Sequence, residues 1–107
     1  MKNSCAKSCS STNKERLILR REYDYYLKTW KYLAVFPDER ANVGKVACLP
    51  FYFSHEEVIF ESFCEASLEY YYKKTKCIKA NSEEAIKCKV ALEKYYNTEF
   101  RIVERGV

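Results

Sequence analysis

Glycine, proline and histidine are scarce in this 107-residue chain, with two Gly, two Pro and one His. So little glycine excludes a glycine-rich phosphate cradle, and neither G-x-x-x-x-G-K-[ST] nor G-x-G-x-x-G is present. The single histidine, His55, has only Cys48 near it in sequence and nothing to orient the pair, so thiol–imidazole catalysis is not expected. Neither C-x-x-C nor C-x-x-C-H occurs. The C-x3-C of Cys5 and Cys9 lacks two further ligands for a metal. No catalytic residue, metal ligand, cofactor or small-molecule substrate is therefore expected. No apolar run reaches the ~18 residues of a membrane-spanning helix. The first residues, MKNSCAKSCSSTNKER, lack the apolar core of a signal peptide, so none is expected.

Cysteine, tyrosine and lysine are what the chain has in quantity. Six cysteines are many for one small domain. Without a visible secretory signal, they point to oxidised pairs in the mitochondrial intermembrane space, with reduced cytosolic thiols as the alternative. The charge is uneven. Residues 1–46 carry ten basic and five acidic side chains, a net +5, whereas residues 47–107 carry nine and ten, a net −1. A basic first half suits an acidic partner or anionic lipid headgroups, and equally a solvated helix face. Ten tyrosines and six phenylalanines among lysines suggest base stacking. Their helical spacing and the interspersed acids favour a core instead, so no nucleic acid is expected.

Long stretches without a breaker favour helices. The reading is a polar arm over 1–12 followed by a single all-α domain over 13–107, with helices over 14–35, 55–79 and 82–103. Thr12-x-x-Glu15, Ser54-x-x-Glu57 and Asn81-x-x-Glu84 are possible capping boxes. Leu19, Tyr23, Tyr26, Leu27 and Trp30 recur at steps of three and four. Ile59, Phe60, Phe63, Cys64 and Leu68 do the same in the second stretch.

The last two helices are expected to form an antiparallel hairpin. Packed helices lie ~8–10 Å apart, close enough for Cys77 and Cys88 to approach a disulfide's Cα separation of ~4.4–6.8 Å. Cys48–Cys64 is a feasible second pair, one of the three pairings that four cysteines allow. The pairing of Cys5 and Cys9 is left open. Between the helices, Leu49, Phe51, Tyr52 and Phe53 form an apolar patch that either packs on its own core or marks a contact surface. With Tyr25 and Trp30, they are the candidate partner-contact residues. Residues 14–35 could also lie on a membrane surface, with Trp30 and the tyrosines as interfacial anchors.

Three stretches resemble the PDSW-type accessory subunit of mitochondrial complex I. These are Arg21-Glu22-Tyr23-Asp24-Tyr25-Tyr26, Ser54-His55-Glu56-Glu57-Val58 through Cys64-Glu65-Ala66, and Cys77 through Cys88 with the following Val90-Ala91-Leu92-Glu93-Lys94-Tyr95-Tyr96. The resemblance implies a non-catalytic, disulfide-stapled subunit, peripheral on the intermembrane-space side of a respiratory complex. Its partners would be other subunits of that complex, and redox cofactors would belong to them. The competing expectations are a secreted helical disulfide-rich binding protein and a small basic RNA- or ribosome-associated protein.

Overall fold

The computed structural model describes residues 14–55 and 57–107. Among these the chain is mostly strand: 45% of residues are in seven strands and 23% in two helices. The all-α expectation is therefore overturned. The expected arm over 1–12, Thr12 as a cap, and Cys5 with Cys9 lie outside the described residues.

Strands β1 (Glu15–Asp24), β2 (Thr29–Phe36) and β3 (Lys45–Ser54) form an antiparallel meander. The stretch read as a helix over 14–35 contains most of its first hairpin. Leu17-Ile18-Leu19 and Tyr32-Leu33-Ala34-Val35-Phe36 are continuous apolar runs, and every residue in them is buried. Such runs suit a strand covered on both faces, where alternate side chains enter two different cores. Of the residues that recur at steps of three and four in this stretch, only Leu19 lies in these runs; Tyr23, Tyr26, Leu27 and Trp30 gather at and beside the hairpin turn.

The outer edge of β3 is shared. Strand β4 (Glu57–Phe60) pairs with its second half and β5 (Cys64–Ser67) with its first half, both antiparallel. The free edge of β1 is shared in the same way. Strand β6 (Lys76–Cys77) runs antiparallel to it at Arg20 and Arg21, and β7 (Phe100–Val103) runs parallel to it at Glu15–Ile18. The expected helix over 55–79 is therefore broken into three short edge strands and one helix, with Val58, Ile59 and Phe60 paired to Phe53, Tyr52 and Phe51. Its only helix is the short α1 (Leu68–Lys74), capped by Ser67, whose hydroxyl accepts from the Tyr70 N–H at 3.1 Å. The expected helix over 82–103 survives as α2 (Glu83–Tyr96), with Ser82 as its cap. It stops at Asn97, which adopts the left-handed conformation (φ 54°).

Each helix covers one face of the sheet. On the front face, Ala85, Cys88 and Leu92 of α2 pack on Leu17, Leu19, Ala34, Leu49 and Phe51. On the back face, Tyr71 of α1 packs with Ile18, Leu33, Val35 and Cys48. Arg20 points into this second core. Its Nε donates to Thr75 Oγ1 at 2.8 Å, and its Nη2 donates to the Tyr71 and Thr75 carbonyls at 2.9 and 2.8 Å. The guanidinium also lies over the Tyr71 ring at 4.3 Å. These bonds tie the end of α1 to the sheet.

The sheet also overturns the disulfide-stapled hairpin. Cys77 sits opposite Arg20 on the back-face side of the β1 edge, while Cys88 is fully buried in the front core. With the sheet between them they cannot meet. Cys48 and Cys64 do face each other across β3 and β5, with sulfurs 3.8 Å apart, but all four of these cysteines are free thiols. One of the three stretches that carry the resemblance, Cys77 through Cys88, thus runs from a two-residue strand into α2 and forms no cross-linked helical hairpin.

Candidate functional site

The β1–β2 hairpin carries an aromatic surface beyond the N-terminal end of α2. Its turn is built by Asp24, whose Oδ1 accepts the Tyr26 and Leu27 backbone N–H groups, each at 2.9 Å. Lys28 completes the turn in the left-handed region (φ 57°). The turn presents Tyr25 and Tyr26 to solvent, 83% and 94% exposed.

Behind the tip, side chains brace one another back to the helix. Tyr23 meets Tyr25 edge-on at 4.9 Å and Trp30 edge-on at 5.3 Å. Trp30, still 40% exposed, carries the Arg21 guanidinium over its ring at 4.3 Å. Arg21 Nη1 donates to both Glu84 carboxylate oxygens at 2.7 and 2.8 Å. The Tyr32 hydroxyl donates to the same carboxylate at 2.7 Å. Burial raises the Tyr32 pKa, and the Glu84 hydrogen bond and charge raise it further, so this hydroxyl stays protonated and donating. Glu84 lies in the first turn of α2, where the helix dipole favours a carboxylate. Lys87, one turn further on, places its ammonium 4.2 Å from the Phe53 ring centre, and Phe53 packs edge-on against Tyr32 at 5.6 Å.

The resulting shelf exposes Tyr25, Tyr26 and part of Trp30, with Arg21 and Lys87 laid over the Trp30 and Phe53 rings. Its chemistry suits an apolar surface bearing acidic groups. Aromatic side chains with few rotatable bonds lose little entropy on contact, and Trp, Tyr and Arg dominate interface energetics.

The structure brings together Tyr25, Trp30 and Phe53 from the expected contact residues. Tyr52 is half-buried and alternates to the back face, opposite Lys31. Leu49 and Phe51 are core residues, 2% and 0% exposed, so they cannot meet a partner. Sequence reasoning missed Tyr26, Arg21, Glu84 and Lys87. The signal for the turn was present in Asp24-Tyr25-Tyr26-Leu27-Lys28, where an Asp can accept backbone N–H groups two and three residues on. Nothing in the sequence announced the Arg21–Glu84 pair, which joins residues far apart in the chain.

His55 is exposed in the turn after β3, in the left-handed region (φ 59°). Cys48 is seven residues back along the same strand, roughly 20 Å away at ~3.3 Å per residue. Among the described residues, no group of three or more His, Cys, Asp or Glu is placed to hold a metal, and no helix is long and apolar enough to cross a membrane.

No protein-family model matches this sequence, nor does any curated protein or solved structure. Fold and site define the class: a β-rich domain with a helix on each face of its sheet and an aromatic–basic shelf at one end.

Proposed function

We propose that the protein is a non-catalytic interaction subunit that joins a larger assembly through the β1–β2 shelf. The observation that carries this reading is the exposure of Tyr25, Tyr26 and Trp30 on a braced hairpin. Such a ring cluster costs solvation while it remains open to water, and contact with a partner removes that cost. Lys28 and Lys87, which form no ion pair among the described residues, favour a partner surface with acidic groups around an apolar centre.

The test compares the tagged full-length chain with a Tyr25→Ser/Tyr26→Ser/Trp30→Ser variant, isolated under mild conditions from its native cells. All three side chains are outside the buried core, so the variant should stay folded, with a melting temperature lowered only by the loss of the Trp30 contacts to Tyr23 and Arg21. Proteins retained by the native chain should be lost from the variant by at least ~10-fold, the scale of a hot-spot loss of 1–2 kcal/mol or more. Retention of the same proteins by both would refute the shelf as the contact surface. Loss of a nuclease-sensitive nucleic acid, with no protein lost, would replace the reading by single-strand binding.

A further inference from the structure

The opposite end of the front face holds a cleft of about 400 Å³. Strand β1 has ten residues, so the cleft lies roughly 30 Å from the shelf. Its wall is made of Phe36, Phe63, Tyr96 and Phe100. The Phe36 ring centre is 5.5 Å from that of Phe63, 5.8 Å from Tyr96 and 6.3 Å from Phe100. Tyr96 meets Phe100 nearly perpendicularly, 5.8 Å away. Phe36 and Phe100 are anchored in the core, while Phe63 and Tyr96 remain partly open at the mouth.

Thr98 completes the lining with two carboxylates, Glu15 and Glu39. Among the described residues neither forms an ion pair, whereas the nearby cations are engaged: Lys14 with Glu99 at 3.2 Å and Arg16 with Asp38 at 2.6 Å. Burial raises the Glu15 pKa, and the Glu39 and Asp38 charges raise it further. Tyr96, whose pKa is raised mainly by burial, also feels both Glu15 and Glu39. Tyr96 is the last residue of α2, so the negative end of that helix borders the cleft as well. Carboxylates, helix terminus and ring faces all favour positive charge in the same place.

We propose that this cleft binds a small organic cation whose charge is carried by a methylated ammonium group. The lining decides between kinds of ammonium. A primary amine brings three N–H donors that must leave water, and four of the seven residues that line the cleft are aromatic. A quaternary ammonium has no donor to leave unpaired, and its methyl groups bury favourably against rings.

The test is a titration of the isotope-labelled full-length chain, followed by amide chemical shifts. The probes are choline, ethanolamine and the uncharged carbon isostere of choline. Choline should produce saturable shifts centred on Phe36, Phe63, Tyr96 and Thr98. The isostere should bind about ten-fold more weakly, and ethanolamine several-fold more weakly. Glu15→Gln/Glu39→Gln keeps the shape of the cleft and should also weaken choline about ten-fold. Phe63→Ala, altered at a half-exposed position, should weaken it several-fold. Equal affinity for choline and its isostere would overturn the proposal, as would unchanged binding by the double Gln variant. Absence of saturable shifts at the cleft would overturn it too.

Discussion

The free thiols show how position in the sheet sets the chemistry of a single residue. Cys88 faces the front core from α2, and burial pushes its pKa from an ordinary 9.0 up to about 12. Cys48, buried on the back face, is likewise pushed up to about 12, first by burial and then by the neighbouring Cys64. Cys64 and Cys77 are exposed. An alkylating reagent at neutral pH should therefore modify Cys64 and Cys77 in the native chain and reach Cys48 and Cys88 only after denaturation. Peptide mapping after a timed pulse checks this, and fast native labelling of Cys88 would contradict its placement.

The raised thiol pKa values also fix a pH dependence. Below pH 9 a buried thiol is protonated in both folded and unfolded chains, so its contribution is fully present. Above that pH only the unfolded chain releases the proton. Stability should then fall by about 1.4 kcal/mol per pH unit for Cys88, until the folded thiol also ionises near pH 12. Cys88→Ala should be less stable than the native chain at pH 7, and the gap should narrow or reverse by pH 11. Urea midpoints across that range measure it. A constant gap would mean that the Cys88 thiol is not shifted.

At the level of elements, α2 was the part most legible from the sequence. The cap was read one residue early, at Asn81; Ser82 caps the helix, its hydroxyl accepting the Ala85 N–H, and Ala85, Cys88 and Leu92 give it one buried stripe. Its end was overrun because Asn97, which terminates it by turning left-handed, was read as one more polar helical residue. The strands were hidden for another reason. Tyr23, Tyr26, Leu27 and Trp30 are separated by three, one and three residues, a pattern that a helix face and a hairpin tip satisfy equally well. What distinguishes them is that Leu17-Ile18-Leu19 is apolar without interruption, which an amphipathic helix at a surface does not need.

Arg20 was similarly disguised, because next to Arg21 it read as part of a solvated basic face. In the fold the two residues point to opposite sides of the sheet, Arg20 into the α1 core and Arg21 to the shelf. Arg20→Ala removes three hydrogen bonds from a charged donor and leaves Thr75 and the Tyr71 carbonyl with fewer partners. It should cost about 2–4 kcal/mol of stability in urea titration. Arg21→Ala breaks a partly buried ion pair beside solvent and should cost less, about 1–2 kcal/mol. Equal costs would show that α1 is not held by Arg20.

At the scale of the whole molecule, the C-terminal strand closes the sheet against the first strand. Strand β7 pairs parallel with β1, setting Phe100 beside Glu15 and Val103 beside Ile18. No local signal in the sequence specifies such a pairing, since it joins residues about 85 positions apart and depends on both helices being in place. Phe100 is 1% exposed and packs against Phe36 and Tyr96. Its loss alone should cost about 3–5 kcal/mol, against a total near 5–15 kcal/mol for a domain of this size. Phe100→Ala should therefore fold but melt early and unfold at clearly lower urea. Ending the chain after Thr98 removes the same ring, Ile102, Val103 and four residues of strand pairing. It also uncovers the edge of β1, whose unpaired N–H and C=O groups would template association with other chains. The shortened chain should lose its dispersed amide spectrum and aggregate, while Phe100→Ala keeps a dispersed spectrum at low temperature. A shortened chain that stays monomeric with dispersed resonances would show that the sheet is complete without β7. The front core would then rest on β1, β2, β3 and α2 alone.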